Sequence, residues 1–121
     1  MKRILLAEDE EVLRMLVVDS LEDEGYEIDE AADGIEAFGL LQTNDYDLVL
    51  LDYMMPGMSG LELIEKVRAI EKFKGLEILM LTAKSQKSDQ EKVISAGANY
   101  FLAKPFSPSE LVAIVGEILS E

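Results

Sequence analysis

The chain contains no cysteine and no histidine. The first absence excludes disulfides and thiolate metal sites and suits a reducing cytoplasm. The second excludes a Ser/His/Asp triad and His-ligated zinc. Long apolar runs are missing as well. After Lys2 and Arg3 the first run covers only Ile4 to Ala7, too short for the core of a secretory signal. No stretch approaches the ~20 residues of a membrane-spanning helix. The expectation is a soluble, cytoplasmic protein with no membrane partner. Basic residues are scarce in the first half: residues 1–65 hold 3 basic and 18 acidic side chains, a net of −15, whereas residues 66–121 hold 8 and 7, a net of +1. So acidic a surface repels phosphate backbones and argues against direct nucleic-acid binding. Linkers, repeats and low-complexity tracts are also absent. The 121 residues, 49% of them apolar, suit one domain with one core.

Four apolar runs of strand length each end in polar groups. They are Ile4-Leu5-Leu6-Ala7 before Glu8-Asp9, Leu48-Val49-Leu50-Leu51 before Asp52, Ile78-Leu79-Met80-Leu81 before Thr82-Ala83, and Tyr100-Phe101-Leu102-Ala103 before Lys104-Pro105. Alternating with helical patterns, such runs predict a parallel sheet covered by helices on both faces. Strands are predicted at Arg3–Ala7, Glu27–Ala31, Asp47–Leu51, Glu77–Leu81 and Asn99–Ala103, and helices at Glu10–Glu24, Gly34–Thr43, Gly60–Lys72, Gln86–Ala96 and Pro108–Leu119. Ser107-Pro108-Ser109-Glu110, Ser59-Gly60-Leu61-Glu62 and Asp33-Gly34-Ile35-Glu36 each offer a helix cap and a reciprocal glutamate. The fourth helix has no apolar anchor before Val93 and Ile94, so little buried area is expected to hold its first two turns.

In an open parallel sheet, groups just past the carboxyl ends of neighbouring strands share one crevice. Glu8, Asp9, Asp52, Thr82 and Lys104 are therefore expected to meet. Three carboxylates within about 4–6 Å repel strongly at an effective dielectric of ~20; either one stays protonated or a cation is bound. Oxygen ligands without sulfur or imidazole point to a hard ion, and Mg²⁺ keeping several waters suits them. Asp52 is the candidate nucleophile, since a carboxylate attacking a phosphorus on a good leaving group gives an acyl phosphate. The transition state spreads charge over three equatorial oxygens, so the task is positioning and neutralisation. Mg²⁺, Lys104 and the Thr82 hydroxyl can each serve one oxygen, and the small Ala83 leaves the mouth open. Taken singly these residues are ordinary strand ends and turns. Glu10 and Glu11 are read as helix-dipole partners, and Met54, Met55 and Met58 as packing.

The whole set resembles the receiver domain of two-component response regulators, chemotaxis regulators among them, over essentially the entire chain. The resemblance implies one receiver domain over residues 1–121 with a doubly wound, flavodoxin-like α/β/α sandwich and five parallel strands in the order 2-1-3-4-5. With right-handed crossovers, that order makes strands one, three, four and five consecutive neighbours. It leaves aside the one strand whose end, Ala31-Ala32, carries no functional group.

The resemblance further implies Mg²⁺-dependent transfer to Asp52 from a phosphohistidine, carried by a histidine kinase or a histidine phosphotransfer protein. Asp9, Asp52 and the backbone carbonyl of Met54 would hold the Mg²⁺. Glu8, longer than the more usual aspartate, would act through a metal-bound water. A cis Lys104–Pro105 bond is implied too. After transfer, Thr82 would move and Phe101, where tyrosine is more familiar, would rotate inward. The fourth helix, fifth strand and fifth helix would then present Lys84, Lys87, Lys92 and Tyr100 to a downstream effector or output domain, or to a second copy. On this reading the chain assists its own phosphorylation and dephosphorylation and is not an enzyme acting on a separate substrate.

Three other classes compete. A haloacid dehalogenase-type phosphatase needs a second aspartate two residues after the nucleophile, where this chain has Met54. A flavin carrier needs a hydroxyl- and glycine-rich phosphate loop, where this chain has Glu8-Asp9-Glu10-Glu11. A receiver-like interaction module that is never phosphorylated would not need the intact acceptor set.

Overall fold

The computed structural model describes residues 1–83 and 87–120. In chain order they form β1 (Arg3–Ala7), α1 (Glu11–Glu22), β2 (Glu27–Ala31), α2 (Gly34–Thr43), β3 (Leu48–Asp52), α3 (Gly60–Arg68), β4 (Ile78–Ala83), α4 (Lys87–Ala96), β5 (Tyr100–Lys104) and α5 (Pro108–Leu119). A 3-10 turn at Glu71–Phe73 follows α3. The strands form one parallel sheet in the order β2-β1-β3-β4-β5, as the resemblance implies.

The period of two along each central strand explains the three layers. Ile4, Leu6, Leu48, Leu50, Leu79 and Leu81 face one side, against Val17 and Leu21 of α1 and Leu111 and Val115 of α5. Leu5, Ala7, Val49, Leu51, Ile78 and Met80 face the other, against α2, α3 and Val93 of α4. Because both faces are buried, these strands read as unbroken apolar runs. The edge strand β2, Glu27-Ile28-Asp29-Glu30-Ala31, is half-exposed and acidic, which disfavours pairing with another chain along that edge.

The sequence pattern misplaces some boundaries, each for a visible reason. β3, β4 and β5 begin one residue later than predicted, and each extends to include its terminal polar residue. At their lower ends, side chains substitute for the ladder: Asp47 Oδ2 accepts from the Arg3 N–H at 2.8 Å and Asn99 Oδ1 from the Ile78 N–H at 2.8 Å. At their upper ends, Asp52 pairs in register with Leu81, and Lys104 with Ala83. The functional residues are thus fixed by the sheet itself. α3 stops at Arg68, four residues short of the predicted Lys72. There the Arg68 guanidinium turns back to donate to the carbonyls of Phe73 (2.7 Å), Leu76 (2.7 Å) and Gly97 (3.0 Å). Phe73 drops into the core as the chain turns. α1 is shorter at both ends than predicted, with Glu10 extended at its N-cap. The predicted start of α4 at Gln86 lies outside the described residues.

The capping boxes of α3 and α5 form as their sequences dictate. Ser107 Oγ accepts from the Glu110 N–H at 3.1 Å, and Glu110 Oε1 accepts from the Ser107 N–H at 3.0 Å. Ser107→Ala is expected to destabilise the chain by ~1 kcal/mol, read as a lower urea midpoint with an unchanged slope.

Candidate functional site

Glu8 is the first residue past β1, Asp52 the last of β3, Thr82 the penultimate of β4 and Lys104 the last of β5. The strand order brings all four to one end of the sheet. Lys104 Nζ lies 2.9 Å from Asp52 Oδ1 and 3.2 Å from Glu8 Oε1. Glu8, Asp9 and Asp52 each place a carboxylate oxygen within 4.8 Å of the others. Glu8, Asp52 and Thr82 are buried, whereas Asp9 is exposed. The Thr82 hydroxyl is enclosed with no hydrogen-bond partner among the described residues, an uncommon state for a buried polar atom. The Lys104–Pro105 bond is cis.

Electrostatics follow from this crowding. Burial pushes the Glu8 carboxyl up to about 7; the Glu10 main-chain N–H works against that rise, Asp52 adds to it, and Lys104 offsets part of it. Burial alone would lower the Lys104 ammonium, but its bond to Asp52 and the charges of Asp52 and Glu8 outweigh burial and hold it above its ordinary value. Lys104 is therefore a committed cation facing two carboxylates.

Both Glu8 oxygens are engaged, Oε1 by Lys104 and Oε2 by the Glu10 N–H at 3.1 Å. The donor set is carboxylate oxygen throughout, which fits a hard divalent ion. Asp9 and Asp52 would be its direct carboxylate ligands, with Glu8 one step removed.

The loop after β3 closes this end of the pocket. The Tyr53 N–H donates to the Leu81 carbonyl at 3.1 Å, and the Gly60 N–H donates back to the Tyr53 carbonyl at 3.0 Å. Met54 sits at the loop's start with its side chain 70% exposed. Gly60 is demanded by close approach: a Cβ there would lie 2.4 Å from the Asp52 carbonyl oxygen and 3.0 Å from Met80 Cε. Gly60→Ala is expected to cost about 1–3 kcal/mol by forcing the Asp52 main chain to shift, checked by urea unfolding. The sequence pattern marks Gly60 only as a helix start.

Phe101 is 39% exposed. With Gln90, Glu91, Ile94 and Ser95 it lines an open cavity of about 500 Å³ between α4 and β5. Tyr100 and Lys92 are exposed on the same two elements. Lys84 lies outside the described residues, as does the side chain of Lys87. Arg14, absent from the sequence-derived set, donates from Nη1 to the Glu8 carbonyl at 2.8 Å.

Fold and pocket together define a parallel α/β domain with an acidic, lysine-bridged cleft at the carboxyl edge of its sheet. The response regulator receiver domain model matches residues 4–116, and the chain belongs to that family. It is 43% identical over 117 residues to the transcriptional regulatory protein ResD of Bacillus subtilis, covering 97% of this chain and 48% of that one. It superposes on the chemotaxis response regulator CheY4 of Vibrio cholerae with a TM-score of 0.93 at 34% identity, covering 98% of this chain and 99% of that one. The receiver domain of a sensor histidine kinase from Pseudomonas aeruginosa PAO1, with a magnesium ion coordinated in its active site cleft, gives a TM-score of 0.90 at 33% identity over 99% and 98%. The chain spans about half the length of the curated relatives it matches. No helix among the described residues is long and apolar enough to cross a membrane.

Proposed function

We propose that Asp52 accepts a phosphoryl group from a phosphohistidine on a histidine kinase or phosphotransfer protein, and that the acyl phosphate biases the α4–β5–α5 face toward an effector or output domain. The observation that carries this reading is the convergence of Asp52, Lys104 and Glu8 at hydrogen-bonding distance from three separate strand ends. An Asp52 carboxylate oxygen attacks phosphorus, the P–N bond breaks with its electron pair going to that nitrogen, and the donor's imidazole, already protonated on its other ring nitrogen, departs neutral. Lys104, already 2.9 Å from Asp52 Oδ1, is placed to hold one equatorial oxygen without reorganisation. The enclosed Thr82 hydroxyl gains its missing partner by donating to another.

Mg²⁺, held by Asp9, Asp52 and the Met54 carbonyl with Glu8 acting through a water, would neutralise charge on the phosphoryl group. Once Thr82 turns toward the phosphate it vacates space at the end of β4, and Phe101 on the neighbouring β5 is the aromatic that would move inward. Moving such an element from 1:99 to 99:1 takes about 5.5 kcal/mol of differential stabilisation. A dianion of about −2 with three acceptor oxygens can supply it through Lys104 and Thr82.

The test is intact mass after incubation with a small acyl phosphate, with Mg²⁺ or with EDTA. One phosphoryl group gained only with Mg²⁺ is the expected result. No gain in a protein shown to bind Mg²⁺, with turnover checked by release of inorganic phosphate, would leave a contact-only module.

A further inference from the structure

Arg14 lies in the first turn of α1 and reaches back over the acidic segment. Its Nη1 donates to the Glu8 main-chain carbonyl at 2.8 Å. Its Nε pairs with Glu30 Oε1 on β2 at 3.3 Å, and the side chain is 21% exposed. Glu8 is where the β1 ladder ends: its N–H still donates to the Ala31 carbonyl at 3.1 Å, but its carbonyl is taken by the guanidinium. That carbonyl belongs to the peptide unit leading directly into Asp9, and its orientation sets where the Asp9 side chain departs from the backbone. Asp9 is itself exposed, and among the described residues its own side chain makes no hydrogen bond or ion pair. A hydrogen bond to a strand-end carbonyl and an ion pair to a neighbouring strand's carboxylate, both from one planar fork, fix that peptide in a way a lysine's point charge does not.

We infer that Arg14 is a positioning residue for divalent-cation binding: it clamps the Glu8–Asp9 peptide and so aims Asp9, with Glu30 holding the clamp. The inference rests on the Mg²⁺ reading above. It makes a prediction opposite in sign to the simplest electrostatic one. A cation bonded to the Glu8 carbonyl opposes a nearby Mg²⁺, so charge alone requires tighter binding when Arg14 is neutralised. Loss of positioning requires weaker binding.

The experiment is calorimetric titration with Mg²⁺ of the wild type, Arg14→Met, Arg14→Lys and Glu30→Gln, with urea unfolding of each in EDTA. Methionine keeps much of the apolar stem that arginine packs. Arg14→Met is expected to bind Mg²⁺ about tenfold more weakly, the low end of the 10–100-fold typical when a ligand's supporting partner is lost. Arg14→Lys, which keeps the charge but not the fork, should fail to restore affinity. Glu30→Gln should weaken binding in the same direction by a smaller factor while leaving α1 intact. Unchanged or tighter binding in Arg14→Met and Glu30→Gln overturns the inference, and a lower metal-free stability with unchanged affinity reduces Arg14 to a structural residue. If Arg14→Met does not fold, Glu30→Gln decides. A wild type that neither binds Mg²⁺ nor is stabilised by it sinks the Mg²⁺ reading itself, a result distinct from a wild type that binds and variants that match it.

Discussion

Asp52→Asn is expected to take up no phosphoryl group from an acyl phosphate or a phosphohistidine donor, at any Mg²⁺ concentration. The amide oxygen can still accept from Lys104, and the shape is nearly unchanged, so the fold should persist. What is lost is the anionic oxygen proposed to attack phosphorus, and among the described residues neither neighbouring carboxylate is a ready substitute. Glu8 has both oxygens occupied by Lys104 and the Glu10 N–H. Asp9 is exposed at the rim. Intact mass under conditions that label the wild type checks this, and circular dichroism confirms the fold. Labelling of the variant at the wild-type rate would move the acceptor elsewhere.

Lys104→Met is expected to lower the rate of phosphoryl uptake by about 10²–10³, the usual consequence of removing one preorganised charge-stabilising donor. The cation is held between Asp52 and Glu8 at 2.9 and 3.2 Å, so its position is set before the donor arrives. A rate measured at saturating Mg²⁺ separates loss of Lys104 from weakened metal binding. The same substitution has a second signature in EDTA. Glu8 is raised to about 7 from an unfolded value near 4.5, so the folded chain holds more protons than the unfolded one between those values. Glu8's contribution to metal-free stability therefore falls as pH rises from about 4.5 to about 7 and levels off above. Lys104 offsets part of that rise, so Lys104→Met should carry the falling limb to higher pH. Urea unfolding across pH 4–9 reads it.

The central strands and the polar residues that meet at their carboxyl ends were legible because burial on both faces turns each such strand into an apolar run that breaks at a polar residue, whereas the order of the strands came from the family resemblance. Asp52, Thr82 and Lys104 stand out against Leu51, Leu81 and Ala103 for that reason. What the pattern hides is backbone geometry. The α3 stop at Arg68 depends on carbonyls five to twenty-nine residues away, which no local periodicity encodes. Gly60 looks like a helix start, yet the need for glycine comes from the Asp52 carbonyl across the loop. Arg14 looks like a solvated helix residue until β1 and β2 bring Glu8 and Glu30 to it. β3 and β5 start one residue late where the Asp47 and Asn99 side chains accept from the Arg3 and Ile78 N–H groups.

The most direct test of the central claim is to reduce the phosphorylated protein with borohydride, which converts an aspartyl phosphate to homoserine, and to map the product by peptide mass spectrometry. Homoserine at position 52, formed only when both donor and Mg²⁺ are present, is the expected result. Modification at Asp9 or Glu8 instead, or no modification of a protein that has gained phosphate, would contradict the assignment of Asp52.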